Sequence, residues 1–219
     1  MAERGRFISF EGGEGAGKST QAKLLKAALE ARGRSVLLTR EPGGSPLGEQ
    51  IRERVLTPAG EPLQPEAELL LFLAARAQHV RQIIGPALEK GEVVVCDRFT
   101  DATLAYQGGG RTMKDDFLRS LNQWATGAIR PIRTYLIDIP VDVGLARAKG
   151  RRAQSAPDRF ESEGPAFFEA VRERYLEIAR SEPERFVVLR GTDPKEAIAH
   201  QIENDVNSLL SGRNHNPSR

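Results

Sequence analysis

The loop at residues 12–19 reads Gly12-Gly13-Glu14-Gly15-Ala16-Gly17-Lys18-Ser19. It matches the phosphate-binding pattern G-x-x-x-x-G-K-S/T in full. An apolar run at residues 7–10 precedes it, and residues 21–29 follow with apolar side chains at helical spacing. A strand, a glycine loop and a helix in this order aim backbone N–H groups and a helix N-terminus at an anion. The stretch therefore predicts a nucleoside triphosphate site, and the flanking elements disfavour the alternative of an incidental glycine-rich turn.

The bulk composition is that of an ordinary globular protein and excludes few functions. The length of 219 residues suits one domain, which we place at residues 1–211, followed by a polar tail at 212–219 that we expect to fray. A net charge of +2 gives no reason to expect a nucleic-acid or membrane partner. One cysteine and three scattered histidines suggest neither a disulfide nor a metal cluster. The longest apolar run, 69–75, is too short to cross a bilayer and no signal peptide opens the chain, so we expect a cytoplasmic protein.

Strand-like and helical segments alternate along the chain. Strands are predicted at 6–11, 35–39, 92–97, 132–138 and 185–190, and helices at 18–32, 46–56, 65–90, 114–127, 141–151, 164–180 and 194–210. This alternation predicts an α/β fold with a five-stranded parallel sheet flanked by helices, three layers in all. In such sheets ligands bind beyond the carboxyl ends of the strands.

Charged side chains follow the second and third predicted strands at that edge. Arg40 and Glu41 open a loop that is rich in proline and glycine, and the alternative is a turn with a surface ion pair. Asp97 ends the third strand and is the expected direct or indirect Mg²⁺ ligand, unless it only caps the next segment. Arg98 follows it and can hold two phosphate oxygens.

Two further segments carry candidate binding groups. Phe72 and Arg76 lie four residues apart on one helix face, where a ring could stack on a ligand, although an aromatic on a helix is more often core. The surplus of leucines around 69–73 suggests a second buried face, such as a subunit contact. Tyr106 and Gln107 precede three glycines, from which we predict a binding loop rather than a helix.

Taken together, these strings resemble those of bacterial thymidylate kinases. The strings are E-G-G-E-G-A-G-K-S-T, R-E-P-G-G, L-L-F-L-A-A-R, D-R-F and A-Y-Q-G-G-G-R, in the family's order from residue 7 to 111, with weaker matches to about 180. The resemblance implies a P-loop nucleoside monophosphate kinase fold. It also implies transfer of the γ-phosphoryl group of ATP to dTMP with Mg²⁺, giving dTDP and ADP, by a homodimer.

The resemblance assigns roles to individual residues. Phe72 would stack on thymine and Arg76 would bind its O4 edge, Tyr106 would crowd the 2′ position of the sugar, and Arg98 with Arg40 would hold the acceptor phosphate. The implied dTMP-binding set is Glu14, Arg40, Phe72, Arg76, Arg98, Thr103, Tyr106 and Gln107. The implied ATP-binding set is Gly12, Gly13, Glu14, Gly15, Ala16, Gly17, Lys18, Ser19 and Thr20. Ser19 and Asp97 would bind the metal, and the implied catalytic residues are Lys18, Arg98, Arg147 and Arg151.

Residues 147–163 resemble the family's lid over ATP. In one group of these kinases a basic residue of the phosphate loop assists catalysis, and in the other group lid arginines do so. Positions 13–16 hold no base, whereas the lid carries Arg147, Arg151, Arg152 and Arg159, so the chain resembles the lid-arginine type. It departs from the family at Ala102, where a serine is usual, and one substrate contact could be missing there.

Two other functions remain as alternatives. A P-loop kinase for another nucleotide or metabolite would share the phosphate loop, but it is disfavoured by the combination of Phe72, Arg76, Tyr106 and Gln107. A regulatory GTPase would need an N/T-K-x-D string and a D-x-x-G string, and the sequence contains neither.

Overall fold

Five parallel strands form the centre of the structure, a computed structural model that describes residues 5–58, 62–151 and 159–211. The strands are β1 (Phe7–Glu11), β2 (Val36–Arg40), β3 (Val93–Asp97), β4 (Arg133–Asp138) and β5 (Phe186–Arg190). They lie in the order β2-β3-β1-β4-β5, and each neighbouring pair is parallel. β1 is completely buried and β3 is buried except at its last residue, as expected for strands that are covered on both faces. The predicted α/β fold is confirmed.

Helices cover both faces of this sheet. They are α1 (Lys18–Glu30), α2 (Pro46–Leu56), α3 (Pro65–His79), α4 (Gly85–Glu89), α5 (Thr100–Thr103), α6 (Asp115–Thr126), α7 (Val141–Arg151), α8 (Pro165–Ser181) and α9 (Lys195–Leu210). A first π-helix (Val80–Ile84) joins α3 to α4, a second π-helix (Leu104–Gly110) follows α5, and a 3₁₀ turn spans Arg159–Ser162. The segment predicted as one helix at 65–90 is therefore helical from Pro65 to Glu89, but its middle part is a π-helix rather than an α-helix.

The two largest apolar clusters among the described residues pack helices against the sheet. In one, Leu25 of α1 and Ile202 of α9 pack with Ile8 and Phe10 of β1. In the other, α3, α6 and α8 meet over Leu136 of β4, through side chains that include Leu69, Leu118 and Tyr175. Burying these large side chains supplies most of the folding free energy, at roughly 25 cal/mol per Å² of apolar surface.

The strand register brings the functional loops together. Asp97 is level with Phe10 on one side and with Arg40 on the other, so β1, β2 and β3 end at nearly the same height. The loops that leave these three strands therefore meet at one edge of the sheet, as the rule for ligand sites in open α/β sheets requires.

The prediction of a loop at Gly108–Gly110 is wrong, because these glycines complete the second π-helix. A Cβ at Gly109 would lie 2.8 Å from the Ala170 carbonyl oxygen, and one at Gly110 would lie 2.3 Å from the Phe167 ring. The glycines therefore serve close packing against α8, and this tertiary contact overrides their poor helix propensity. π-Helical turns of this kind often occur at functional sites.

Some predictions concern residues outside the described ranges. The tail at 212–219 and the lid residues 152–158, which include Arg152, belong to this group. In the three ranges that are described, no helix combines the length and hydropathy needed to cross a bilayer.

Candidate active site

A cleft of about 860 Å³ opens at the carboxyl edge of the sheet. All eight residues that were predicted to bind the acceptor nucleotide line it, and so do Lys18, Ser19 and Asp97. Gly12 and Gly13 lie against a second, much smaller cavity, and Thr20 is exposed on α1. The structure therefore brings the predicted acceptor and metal residues into one space, together with most of the phosphate loop.

The phosphate loop leaves the N-terminus of α1 open toward this cleft. Gly17 precedes the helix with φ 99°, and no side chain caps the free N–H groups of the first turn. Gly15, with φ 69°, packs so closely that a Cβ there would lie 2.0 Å from the Gly144 carbonyl oxygen. The backbone is thus held in a conformation that suits anion binding, and only glycine fits it.

Lys18 lies inside this loop rather than in solvent. Its Nζ donates to the Gly13 carbonyl oxygen at 2.7 Å, and the residue is 7% exposed. Burial, reinforced by the positive charge of Arg98, lowers the pKa of Lys18 from 10.5 to about 8. A bound phosphate would place a negative charge beside this ammonium group and so favour its protonated form.

Ser19 and Asp97 are in direct contact, with the Ser19 hydroxyl donating to Oδ2 of Asp97. The two predicted metal ligands therefore meet where α1 begins and β3 ends. A hydroxyl and a carboxylate facing a phosphate loop fit Mg²⁺, which prefers oxygen ligands and binds through one or two carboxylates plus substrate phosphates. No larger group of acidic, His or Cys side chains within the described residues is arranged to hold a metal ion.

Arg98 links the phosphate loop to the second π-helix. Its Nη2 donates to Oε1 of Glu14 at 2.6 Å and to the Tyr106 hydroxyl at 3.0 Å, and its guanidinium lies 4.9 Å from the centre of the Tyr106 ring. The Tyr106 hydroxyl in turn donates to Glu14 at 3.0 Å. These contacts fix three predicted site residues relative to one another.

Arg76 is held almost completely by the protein. Four of its five N–H donors bind described groups: Oε2 of Glu41 at 2.7 Å, Oγ1 of Thr103 at 2.7 Å, Oδ1 of Asn122 at 2.6 Å and the Phe99 carbonyl oxygen at 3.0 Å. Its neighbour Arg40 is more open, at the end of β2, with Nη2 2.8 Å from Oε2 of Glu49. The Arg76 guanidinium is therefore a rigid part of the cleft wall, with one N–H of Nη2 left for a ligand.

Glu68 is a fully buried carboxylate behind the cleft. Gln107 donates to it through Nε2 at 2.7 Å, and both Arg111 and Arg159 form ion pairs with it. Arg159 was predicted to supply positive charge from the lid, but here it binds Glu68 and the Val55 carbonyl oxygen instead. It therefore ties the end of the predicted lid to α2 and α3.

Arg147, a described residue of the predicted lid, contacts a loop other than the phosphate loop. Arg147 donates from Nη1 to the Gly191 carbonyl oxygen at 2.8 Å, beyond the end of β5. Arg151 is the last residue of α7. The catalytic roles of Arg147 and Arg151 therefore stay predictions.

Comparison with known proteins places this site in a family. The thymidylate kinase family model matches residues 10–202. The chain belongs to the thymidylate kinase family. It is 53% identical over 206 residues to a thymidylate kinase of Pseudomonas putida (strain W619), covering 94% of this chain and 96% of that one. It is 56% identical over 182 residues to one of Pseudomonas syringae pv. syringae (strain B728a), covering 83% and 85%.

A solved structure agrees. The crystal structure of thymidylate kinase from Ehrlichia chaffeensis superimposes with a TM-score of 0.71 and 31% identity, covering 94% of this chain and 99% of that chain. The predicted resemblance is confirmed, and the chain is a kinase.

Several residues of the site were missed by the sequence reasoning. Glu68 could have been found, because 68, 72 and 76 share one helix face at spacings of four. Glu11 stands directly before the phosphate loop, and its position at a strand end was a usable signal. Tyr175 and Phe160 reach the site from α8 and the 3₁₀ turn; they lie in the weaker family strings R-Y-L-E-I-A and D-R-F-E, but no role was predicted for either residue.

Proposed function

We propose that this enzyme transfers the γ-phosphoryl group of ATP to the 5′-phosphate of dTMP, giving dTDP and ADP. The observation that carries the proposal is the single cleft in which a phosphate loop and the eight expected acceptor residues face one another. Family membership and the names of the relatives support the acceptor.

ATP would bind along the phosphate loop, with its β- and γ-phosphates at Lys18 and the open N-terminus of α1. Mg²⁺ would be held by Ser19 and Asp97, and when bound it neutralises charge on the phosphate oxygens. Lys18 would exchange its hydrogen bond with the Gly13 carbonyl oxygen for a phosphate oxygen. The loop needs no other cation to bind the nucleotide, because its backbone N–H groups already favour anions.

The transfer itself is in line. An oxygen of the dTMP phosphate attacks the γ-phosphorus and forms the new P–O bond, while the bond from that phosphorus to the bridging oxygen breaks and its electron pair leaves with ADP. The protein positions the two phosphates and surrounds them with positive charge. Arg98 and Arg40 would hold the acceptor phosphate, and Arg98 would have to exchange its ion pair with Glu14 for it.

The opposite end of the cleft suits a pyrimidine deoxynucleotide. The half-buried Phe72 ring would stack on thymine. The centre of this ring lies 6.3 Å from the centre of the Phe160 ring. Arg76 would offer its last N–H to O4, and Thr103, which accepts from Arg76, keeps its own hydroxyl proton for donation. The Tyr106 ring, fixed by hydrogen bonds of its hydroxyl, would exclude a 2′-hydroxyl. Gln107 would complete the wall.

Closure of the lid at 147–163 would complete the site. Because positions 13–16 hold no cation, Arg147 and Arg151 would supply charge to the transferring group after the lid moves. A lid that closes only over both substrates keeps water from competing as the acceptor.

We also propose a cytoplasmic homodimer that acts on free nucleotides, without a nucleic-acid or membrane partner. α6 exposes Phe117 (56%) and Trp124 (77%), two helical turns apart on one face, and α3, which packs against α6, exposes Leu70 (61%). A large exposed aromatic patch of this kind is typical of a protein–protein contact.

A panel of acceptors tests the function. The purified full chain, with ATP and Mg²⁺, is assayed for ADP release with dTMP, dUMP, dCMP, UMP and AMP. We expect the highest kcat/KM with dTMP, and a loss of at least ~10³-fold in turnover for Lys18→Ala. A higher kcat/KM with another acceptor would favour the alternative kinase, and near-native turnover of Lys18→Ala would contradict the ATP site.

A further inference from the structure

Arg98 occupies the cleft on an unusual backbone. Its φ is 72°, in the left-handed region that non-glycine residues rarely adopt. Two hydrogen bonds hold this backbone: the Arg98 N–H donates to the Phe10 carbonyl oxygen of the neighbouring strand β1 at 2.9 Å, and the Cys96 thiol donates to the Arg98 carbonyl oxygen at 3.0 Å. A strained residue persists only where its surroundings hold it, and such residues cluster at functional sites.

Glu11 is connected to Arg98 indirectly, through hydrogen bonds with Phe99 and Tyr175. Its Oε1 accepts the N–H of Phe99, the peptide group directly after Arg98, at 2.7 Å. Its Oε2 accepts the hydroxyl of Tyr175 at 2.8 Å, and the oxygen of that hydroxyl accepts Nη1 of Arg98 at 3.2 Å. One carboxylate thus braces the strained backbone directly and the guanidinium through Tyr175.

Glu11 lies in the protein interior rather than at the surface of the cleft. It is fully buried at the end of β1, directly before the phosphate loop. Tyr175 is 1% exposed and reaches the same point from α8. Neither residue is among those that line the cleft, whereas Arg98 is.

We infer that Glu11 is a positioning residue for Arg98, acting through the Phe99 peptide and through Tyr175 to aim the guanidinium at the phosphates. The inference rests on the proposed function in one respect, namely that Arg98 holds the acceptor phosphate. It assigns this buried carboxylate and Tyr175 a role in acceptor binding and turnover rather than in folding alone.

Three substitutions separate the two connections. Tyr175→Phe removes only the link to the guanidinium. Glu11→Gln keeps an oxygen for the Phe99 N–H but places an amide N–H against the Tyr175 hydroxyl, which must then turn. Glu11→Ala removes both connections. The matched control is Tyr135→Phe, which deletes the hydroxyl of another fully buried tyrosine; that hydroxyl donates to Asp205 at 2.6 Å rather than to Glu11.

The decisive readout is a double-mutant cycle with Arg98→Ala, using full-length protein and transfer of labelled γ-phosphate at subsaturating dTMP. We expect Tyr175→Phe and Glu11→Gln each to lower kcat/KM for dTMP about tenfold when Arg98 is present, and less than about twofold when it is absent. ATP affinity and Tm should stay near those of the Tyr135→Phe control.

Equal losses in both backgrounds would overturn the inference, because the residues would then act without Arg98. Unchanged kcat/KM in both single variants would overturn it as well. If Glu11→Ala does not fold, Glu11→Gln and Tyr175→Phe still decide the question. Failure of the proposed function is distinct: wild-type protein would not phosphorylate dTMP, and the same cycle would be run with the acceptor that it does use.

Discussion

The protonation of Lys18 gives the sharpest prediction about the phosphate loop. Its pKa is lowered from 10.5 to about 8, first by burial and then by Arg98. At pH 9, one unit above that pKa, about nine-tenths of the free protein carries a neutral Lys18. A bound triphosphate favours the ammonium form and raises the pKa again. ATP binding should therefore take up about 0.9 proton at pH 9 and only about 0.1 proton at pH 7.

Isothermal titration calorimetry measures this uptake. ATP with Mg²⁺ is titrated at pH 9, without an acceptor, in two buffers that differ in ionisation enthalpy, and the slope of the observed enthalpy gives the protons exchanged. Phosphate groups, whose second pKa is near 6, contribute almost nothing at pH 9. Lys18→Ala should abolish the uptake. Lys26→Ala, which removes a partly exposed lysine of the same helix that pairs with Glu30 at 2.6 Å, should retain the uptake.

No proton uptake at pH 9 in the wild type would show that Lys18 is already protonated in the free protein, and uptake that persists in Lys18→Ala would show that another group binds the proton. The free protein should also respond to pH in a defined direction. Because the folded pKa of Lys18 is depressed, the unfolded chain binds more protons between about pH 8 and 10.5. The contribution of Lys18 to the free energy of unfolding therefore rises with pH across that window and is lost as pH falls through 8.

Three further predictions concern other parts of the site. Arg76→Ala should narrow the ratio of kcat/KM for dTMP over dCMP, and it should destabilise the fold by about 3 kcal/mol because the buried Glu41 loses its arginine and keeps only the contact with His79. An unchanged ratio would show that Arg76 does not read the base. Arg151→Ala should lower kcat by up to ~10³-fold with little change in ATP affinity, because an arginine that arrives on lid closure stabilises the transition state more than bound ATP. A kcat equal to that of the wild type would exclude this role of Arg151. Burial, and after it the negative charge of Asp101, raises the pKa of Glu11 from 4.5 to about 8. The contribution of Glu11 to the free energy of unfolding is therefore present below pH 4.5 and declines as pH rises toward 8. Urea denaturation from pH 5 to 8 should show this decline in the wild type but not in Glu11→Gln.

The parts of the fold that local patterns control were predictable. The strand that ends at Glu11 and the helix that begins at Lys18 follow from an apolar run, a glycine loop and helical spacing. The second π-helix was not, because Gly110 is helical only through the close approach of Phe167 from α8. Local propensity carries no information about such a distant partner.

For the site as well, some features were predictable from the sequence and others were not. Residues that a motif places at strand ends, such as Asp97 and Arg98, were predictable together with the cleft that they line. The contacts that orient them were not. Glu68 binds Gln107 and Arg159, 39 and 91 residues away, and only the folded chain shows that Arg159 contacts this carboxylate rather than the phosphate loop.

Transfer of the γ-phosphoryl group of ATP to dTMP in this cleft can be followed with a label on that group. Protein, Mg²⁺, γ-labelled ATP and dTMP are mixed, and the products are separated by chromatography at early times. We predict label in dTDP, one for each ADP formed, and almost none in inorganic phosphate. Label that accumulates in inorganic phosphate at the same rate with and without dTMP, or that enters another nucleotide while dTMP stays unlabelled, would contradict the account.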